Sequence, residues 1–357
     1  MAKQPLSRST VRGSSNHSRA NDNDYDYYQA LFDPDWAEPD RAAPAKKARS
    51  KPKRASVAQE VAALTDEAVG LEAGFQTTYR PSRFETGWLL ESLAHFYALD
   101  LLADVLAIIK GGKEATVYRC LGGPAAPAEL VAAKVYRPRK LRNLRNDKMY
   151  REGRAVLTAD GKPVKKNEHR VMRALNKKTA FGQEVAHTSW LMYEYTTLER
   201  LHRAGASVPL PIAAAENAIL MGYVGDESRA APTLHEVRLD FPTARRLLDQ
   251  TIYNLELMLQ ADLIHGDLSA YNILYWEGEM TIIDFPQVTN AKGNSNARYI
   301  LNRDVRRVCE YFALQGLQPN ARAIADHLWN RFQARSANDI AADLSRTLAE
   351  LGQDEDE

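Results

Sequence analysis

Asp267 and Asn272 stand five positions apart in the segment HGDLSAYNIL (265–274), and Asp284 follows ten residues after its end in IIDF. Side chains of these types on short polar loops suit phosphoryl transfer. Moving a γ-phosphoryl group needs Mg²⁺ held by hard oxygen ligands and a carboxylate beside the acceptor hydroxyl. Asp267 suits the acceptor side, and Asn272 with Asp284 the metal. The local pattern explains how they meet. Ile273 to Trp276 favour a strand, Glu277 and Gly278 a turn, and Thr281 to Ile283 a return strand that delivers Asp284.

Such a site needs a lysine for the ATP phosphates. In LVAAKVY (130–136), period-two alternation sets Val131, Ala133 and Val135 on one face and Ala132, Lys134 and Tyr136 on the other. A mid-strand ammonium is costly unless paired. Glu194 offers the partner. It lies within the apolar stripe of Leu191, Tyr195, Leu198 and Leu201 in a helical run with Ser189 as N-cap candidate and Gly205 as stop. Two readings of Glu194 stand: pairing with Lys134, as protein kinases require, or snorkelling from the helix edge.

The covering loop is KGGKEATVY (110–118), where Gly111 and Gly112 permit close approach of backbone to phosphate and Thr116 to Cys120 read as strand. A Walker A loop is excluded, because it needs Gly where Ala107 stands and Ser or Thr where Glu114 stands. The loop is also not the full G-x-G-x-x-G of protein kinases.

Together these residues resemble the RIO family of atypical serine/threonine protein kinases, in its bacterial type, over roughly residues 100 to 315. GKEATVY resembles the family's short nucleotide loop, AAKVYR its lysine strand, HGDLSAYN its catalytic loop, IDFPQ its metal loop and NARYILNRDVRRVCEYF its closing helix. The resemblance implies a role for each position. Gly112, Lys113 and Lys134 would meet ATP phosphates, with Glu194 pairing the lysine. Asp267 would be the catalytic aspartate, and Asn272 and Asp284 would bind Mg²⁺, with Mn²⁺ as an alternative. Asp284 would itself accept phosphate. ILMGYVG would be the hinge, bringing the backbones of Met221, Gly222 and Val224 to adenine. The family's usual hinge acid is Gly222 here, which is expected to loosen the hinge.

The resemblance also implies an α+β fold: bilobal and protein-kinase-like, with a small β-rich N-lobe, a mainly helical C-lobe and a shortened activation and substrate-docking region. At 357 residues and 45% hydrophobic content, one such domain with tails fits. The expected division is a disordered polar and basic tail over 1–57, a helical extension over 58–103, an N-lobe over 104–224, a C-lobe over 225–350 and an acidic tail over 351–357. In the extension, Trp88, Leu89, Leu93, Phe96, Tyr97, Leu101 and Val105 suggest one or two amphipathic helices. A basic insertion, 137–187, interrupts the N-lobe. It reads first as a solvated flexible loop and second as an RNA contact. A helix from Thr243 to Gln260 leads into the catalytic loop, and one from Ala297 to Phe312 follows Asp284 so closely that no long activation segment fits.

Cys120 and Cys309 are the only cysteines, so a reducing compartment is expected. No early stretch resembles a signal-peptide core and Leu101 to Ile109 is too short to span a bilayer, so a cytoplasmic protein without membrane partners is expected. His265 reads as a hydrogen-bonding element of its loop, since no second His or Cys stands at metal-ligand spacing. The implied activity is ATP-dependent phosphorylation of a protein or of the chain itself, or ATP hydrolysis, with a ribosomal particle or RNA as further partner. Two alternatives stay open: an aminoglycoside-type small-molecule phosphotransferase, and a nucleotide-binding scaffold or switch.

Overall fold

The computed structural model describes residues 77–112, 114–137, 152, 154–165, 168–177 and 179–333. The polar tail, residues 58–76 of the helical extension, part of the insertion, Lys113, residues 334–350 of the expected C-lobe and the acidic tail lie outside the described residues.

The small lobe is an antiparallel five-stranded sheet in the order β1-β2-β3-β5-β4. Its strands are β1 (Leu102–Gly111), β2 (Ala115–Gly122), β3 (Leu130–Tyr136), β4 (Pro211–Ala214) and β5 (Ala218–Gly222). Central β3 is covered on both sides, and its alternation sorts two layers. Val131, Ala133 and Val135 pack with Tyr118, Cys120, Ala218 and Leu220 beneath α1 (Arg83–Ala98), which contributes Leu89, Leu93 and Phe96. Tyr136 and Ile219 join Trp190, Leu191 and Met192 on the other side.

Helix α1 opens with a capping box between Ser82 and Glu85. Glu85 also accepts hydrogen bonds from the hydroxyls of Tyr79, at 3.1 Å, and of Tyr118 on β2, which fastens the helix to the sheet. The apolar run from Trp88 to Val105 is therefore not continuous helix. α1 ends at Ala98, Asp100 turns the chain at φ +54°, and Val105 belongs to β1, where the ladder to β2 takes over its backbone hydrogen bonds.

The insertion differs from the expected loop. Its described residues include α2 (His169–Asn176), packed on α3 (Ala180–Arg203), and Leu157, which is buried against the Trp190 cluster. Ser189 is not an N-cap but an interior residue of α3, and its Oγ accepts the Leu157 amide at 2.9 Å. Thr179 caps the helix instead, accepting the Gly182 amide at 3.1 Å. The C-terminal end matches the expected stop, with Gly205 at φ +78° just beyond Arg203.

In the large lobe, α4 (Phe241–Gln260) is capped by Asp240 and buries Leu248, Leu255 and Leu259 in a core shared with α5 (Ala297–Leu314) and α6 (Ala321–Gln333). Two short pairings carry the polar loops on this core: β6 (Leu263–Ile264) with β9 (Thr289–Asn290), and β7 (Ile273–Trp276) with β8 (Glu279–Ile282). Glu277 and Gly278, at φ +48° and +90°, form the two-residue turn of the second hairpin. Among the described residues no helix is long and apolar enough to cross a membrane. Cys120 and Cys309 are free and buried.

Candidate active site

Lys134 lies in the middle of β3, paired across the sheet with Val117 and Ile219, so its side chain projects on the α3 side. There Nζ meets Glu194 Oε1 at 2.5 Å and Asp284 Oδ1 at 2.6 Å. Glu194 is only 5% exposed and its second oxygen accepts the Tyr136 hydroxyl, so it pairs and does not snorkel. Burial alone would drive the Lys134 ammonium toward neutrality. The two carboxylates outweigh it and hold its pKa well above the ordinary lysine value.

Asp284 is reached through the β7–β8 hairpin and sits at φ +71°, a conformation that costs a non-glycine residue energy. Burial in the cleft opposes its ionisation, although 43% of the side chain remains open to solvent. Lys134 wins, and holds the carboxyl below the usual aspartate range.

The facing loop runs from His265 to Asn272. His265, fully buried, accepts the Asp267 amide at Nδ1 (3.2 Å), which leaves Nε2 to donate to the Ile283 carbonyl at 3.1 Å. The ring thereby ties the loop of Asp267 to the strand that delivers Asp284. A second tie joins the Ile283 amide to the Asn272 carbonyl at 3.0 Å. Leu268, 0% exposed, anchors the loop in the large-lobe core, worth about 2 kcal/mol. Asn272 turns its Nδ2 to the Asp267 carbonyl at 2.9 Å, which leaves its side-chain oxygen as the hard donor of that amide.

Asn272 and Asp284 fit a Mg²⁺ site of the kind that takes few protein ligands and completes itself with water and phosphate oxygens. Among the described residues no group of three or more His, Cys, Asp or Glu side chains forms a metal cage.

Three residues of α5 complete the site, and the sequence reading assigned none of them. Asp304, 0% exposed, accepts the Gly266 amide at 2.8 Å, while Arg303 donates to the Gly266 carbonyl and pairs with Asp304 at 3.2 Å. Arg307 reaches Asp267 itself, with Nη1 at 2.8 Å from Oδ1. The available signal was the i, i+1, i+4 spacing of Arg303, Asp304 and Arg307, which sets all three toward one side of the helix.

Past Asp284, the insertion braces the chain. Arg154 donates to the carbonyls of Pro286, at 2.9 Å, and Val288, and lies 4.5 Å over the Tyr193 ring. Tyr193 in turn donates to Asn290 at 2.6 Å.

Of the remaining candidates, Gly112 closes the β1–β2 turn through its amide to the Ala115 carbonyl at 2.9 Å. Met221 and Gly222 end β5, and Val224 follows, its carbonyl accepting the Ala231 amide at 2.9 Å. Glycine at this hinge serves a close approach. The Gly222 amide donates to the Leu210 carbonyl at 2.8 Å, and a Cβ at 222 would sit 3.3 Å from Leu210 Cβ and N, so the absent side chain lets two backbone segments close.

Known proteins resemble this chain over the span that holds these loops. A family model described as RIO domain matches residues 131–324, more than half of the chain. A RIO-type serine/threonine-protein kinase Rio1 from Haloferax volcanii is 35% identical over 58% of this chain and 63% of its own length. The serine/threonine-protein kinase RIO1 of Chaetomium thermophilum is 30% identical over 61% of this chain and 41% of its own. The chain thus spans less than two thirds of either relative. A solved Rio2 kinase from Chaetomium thermophilum, described as an ADP/Mg²⁺-phosphoaspartate complex, aligns over 84% of this chain and 86% of its own at 19% identity and a TM-score of 0.44. With the lysine strand, the catalytic loop, the metal loop and the closing helix all inside the matched span, this chain belongs to the RIO family.

Proposed function

We propose that the chain is an atypical serine/threonine kinase and ATPase, which binds ATP with Mg²⁺ or Mn²⁺ and transfers the γ-phosphoryl group to a protein, to itself or to water. The observation that carries this reading is the Lys134 ammonium held between Glu194 at 2.5 Å and Asp284 at 2.6 Å, opposite a loop carrying Asp267 and Asn272. The similarity to serine/threonine-protein kinases supports it.

In this reading Lys134 would meet the ATP phosphates, and Asp284 with Asn272 would hold the metal. Bound Mg²⁺ supplies neutralisation of the phosphate oxygens. Met221, Gly222 and Val224 present backbone to adenine, and Gly112 with Lys113 covers the phosphates. Asp267 orients the acceptor hydroxyl and takes its proton. The exposed Lys162, Lys165, Arg170, Arg173 and Lys177 of the insertion offer charge for RNA phosphates, including those of a ribosomal particle. Burial of both free thiols suits a cytoplasmic setting.

The test is incubation of the purified chain with Mg²⁺ and γ-labelled ATP, comparing wild type with Asp267→Ala and Asp284→Ala. Acid-stable label lost in both variants indicates serine/threonine transfer. Hydroxylamine-labile label lost with Asp284 indicates an aspartyl-phosphate. No label and no phosphate release from the wild type would overturn the proposal.

A further inference from the structure

Resting on that reading, we infer that Arg307 is a positioning residue for phosphoryl transfer, fixing the Asp267 carboxylate against the acceptor. α5 meets the catalytic loop through three neighbouring side chains with separate tasks. Asp304 and Arg303 hold the two backbone groups of Gly266, both from buried positions. Arg307 takes Asp267 Oδ1 at 2.8 Å, with 23% of its side chain and 36% of the Asp267 side chain exposed.

Among the described residues the other side-chain donor near that carboxylate is Asn272 Nδ2, at 3.4 Å from Oδ2, and this amide is committed to the Asp267 carbonyl at 2.9 Å. Lys134 is occupied by Glu194 and Asp284. Asp267 thus owes its orientation chiefly to a cation that the catalytic loop does not supply.

That cation answers a physical problem of the step. As the acceptor oxygen bonds to the γ-phosphorus, the bond from that phosphorus to the bridging oxygen breaks, ADP leaves with the electron pair, and the acceptor proton passes to Asp267. Asp267 must hold its negative charge beside an anionic triphosphate. A guanidinium on Oδ1, the oxygen opposite the one nearest Asn272, offsets the repulsion and stops the carboxylate from swinging aside.

The experiment uses the full chain with Mg²⁺-ATP and measures turnover and nucleotide affinity separately. Arg307→Ala is expected to lower turnover about 100-fold, the scale of a misplaced reacting group, with nucleotide affinity changed less than about twofold. Arg307→Lys should restore part of the rate, and added guanidinium should rescue Arg307→Ala but not Asp267→Ala. Turnover in Arg307→Ala equal to or above wild type overturns the inference, the second case marking Arg307 as a plug. So does a loss matched by nucleotide affinity, or one that neither lysine nor guanidinium repairs. A wild type without turnover sinks the kinase and ATPase reading itself, whereas an active wild type with an indifferent Arg307→Ala sinks Arg307 alone.

Discussion

Asp304, wholly buried in α5, accepts the amide of Gly266 at 2.8 Å and thereby holds the catalytic loop from a helix 38 positions away in the chain. Its burial raises the carboxyl pKa, and the neighbouring Arg303 guanidinium works against that rise. Asp304→Ala removes the carboxylate beside Arg303 and the acceptor of the Gly266 amide together, so a loss of about 3–5 kcal/mol is expected in urea unfolding. Asp304→Asn keeps an acceptor for the amide and should lose less. Equal stability of wild type and Asp304→Ala would show that the loop is held elsewhere.

Lys134 is expected to serve both stability and ligand binding. Lys134→Met preserves the packing of the aliphatic stem but leaves Glu194 and Asp284 without their cation, so the midpoint of thermal unfolding should fall. The stabilisation of wild type by Mg²⁺-ATP should disappear in the variant, read as the loss of the nucleotide-induced rise in midpoint. A full rise in Lys134→Met would remove the lysine from the phosphate site.

The same contact sets a pH dependence. Lys134 depresses the Asp284 pKa below its ordinary 3.8 against the opposing effect of burial. A carboxyl whose folded value is depressed stabilises the fold fully above its unfolded value and loses that contribution as pH falls through the folded one. The difference in thermal midpoint between wild type and Asp284→Asn should therefore be level above pH 3.8 and shrink below it. Asn is the suitable replacement because it tolerates the positive φ at this position. A difference that stays constant through the acid range would show that the Asp284 charge is not stabilising.

The insertion gives a prediction of its own. A Cβ on Gly182 would meet the Ala174 carbonyl oxygen at 2.0 Å, so α2 can lie against the start of α3 only with glycine there. Gly182→Ala should speed amide exchange across His169–Asn176 while leaving the exchange of the α4 core unchanged. Unaltered exchange in α2 would mean that the two helices have room to shift.

The chemistry was legible in the chain because its signals are local. A polar loop with Asp267 and Asn272 five apart, a two-residue turn and a strand ending on Asp284 need no distant contact to be recognised, and neither does a lysine in the middle of an apolar strand. Alternation also placed Lys134 on the opposite face from Val131, Ala133 and Val135, as the two packing layers show. Boundaries fared worse. Ser189 has the residue type of an N-cap, but its hydroxyl is taken by the Leu157 amide, and the helix begins at Ala180. Charge density in the insertion suggested a solvated loop, whereas α2 lies against α3 and Leu157 joins the apolar cluster around Trp190.

By itself, then, the sequence determined the family and singled out the candidate residues of the proposed phosphoryl-transfer loops, since these depend on residue type and short spacing. Only the tertiary structure decided how the loops are held: Glu194 against Lys134 across 60 positions, Asp304 against Gly266 across 38, and Arg307 against Asp267 across 40. An arginine or aspartate on a helix looks the same in sequence whether it meets water or a buried loop. The difference is made by which backbone groups the packed core leaves opposite it, and that is a property of the assembled fold.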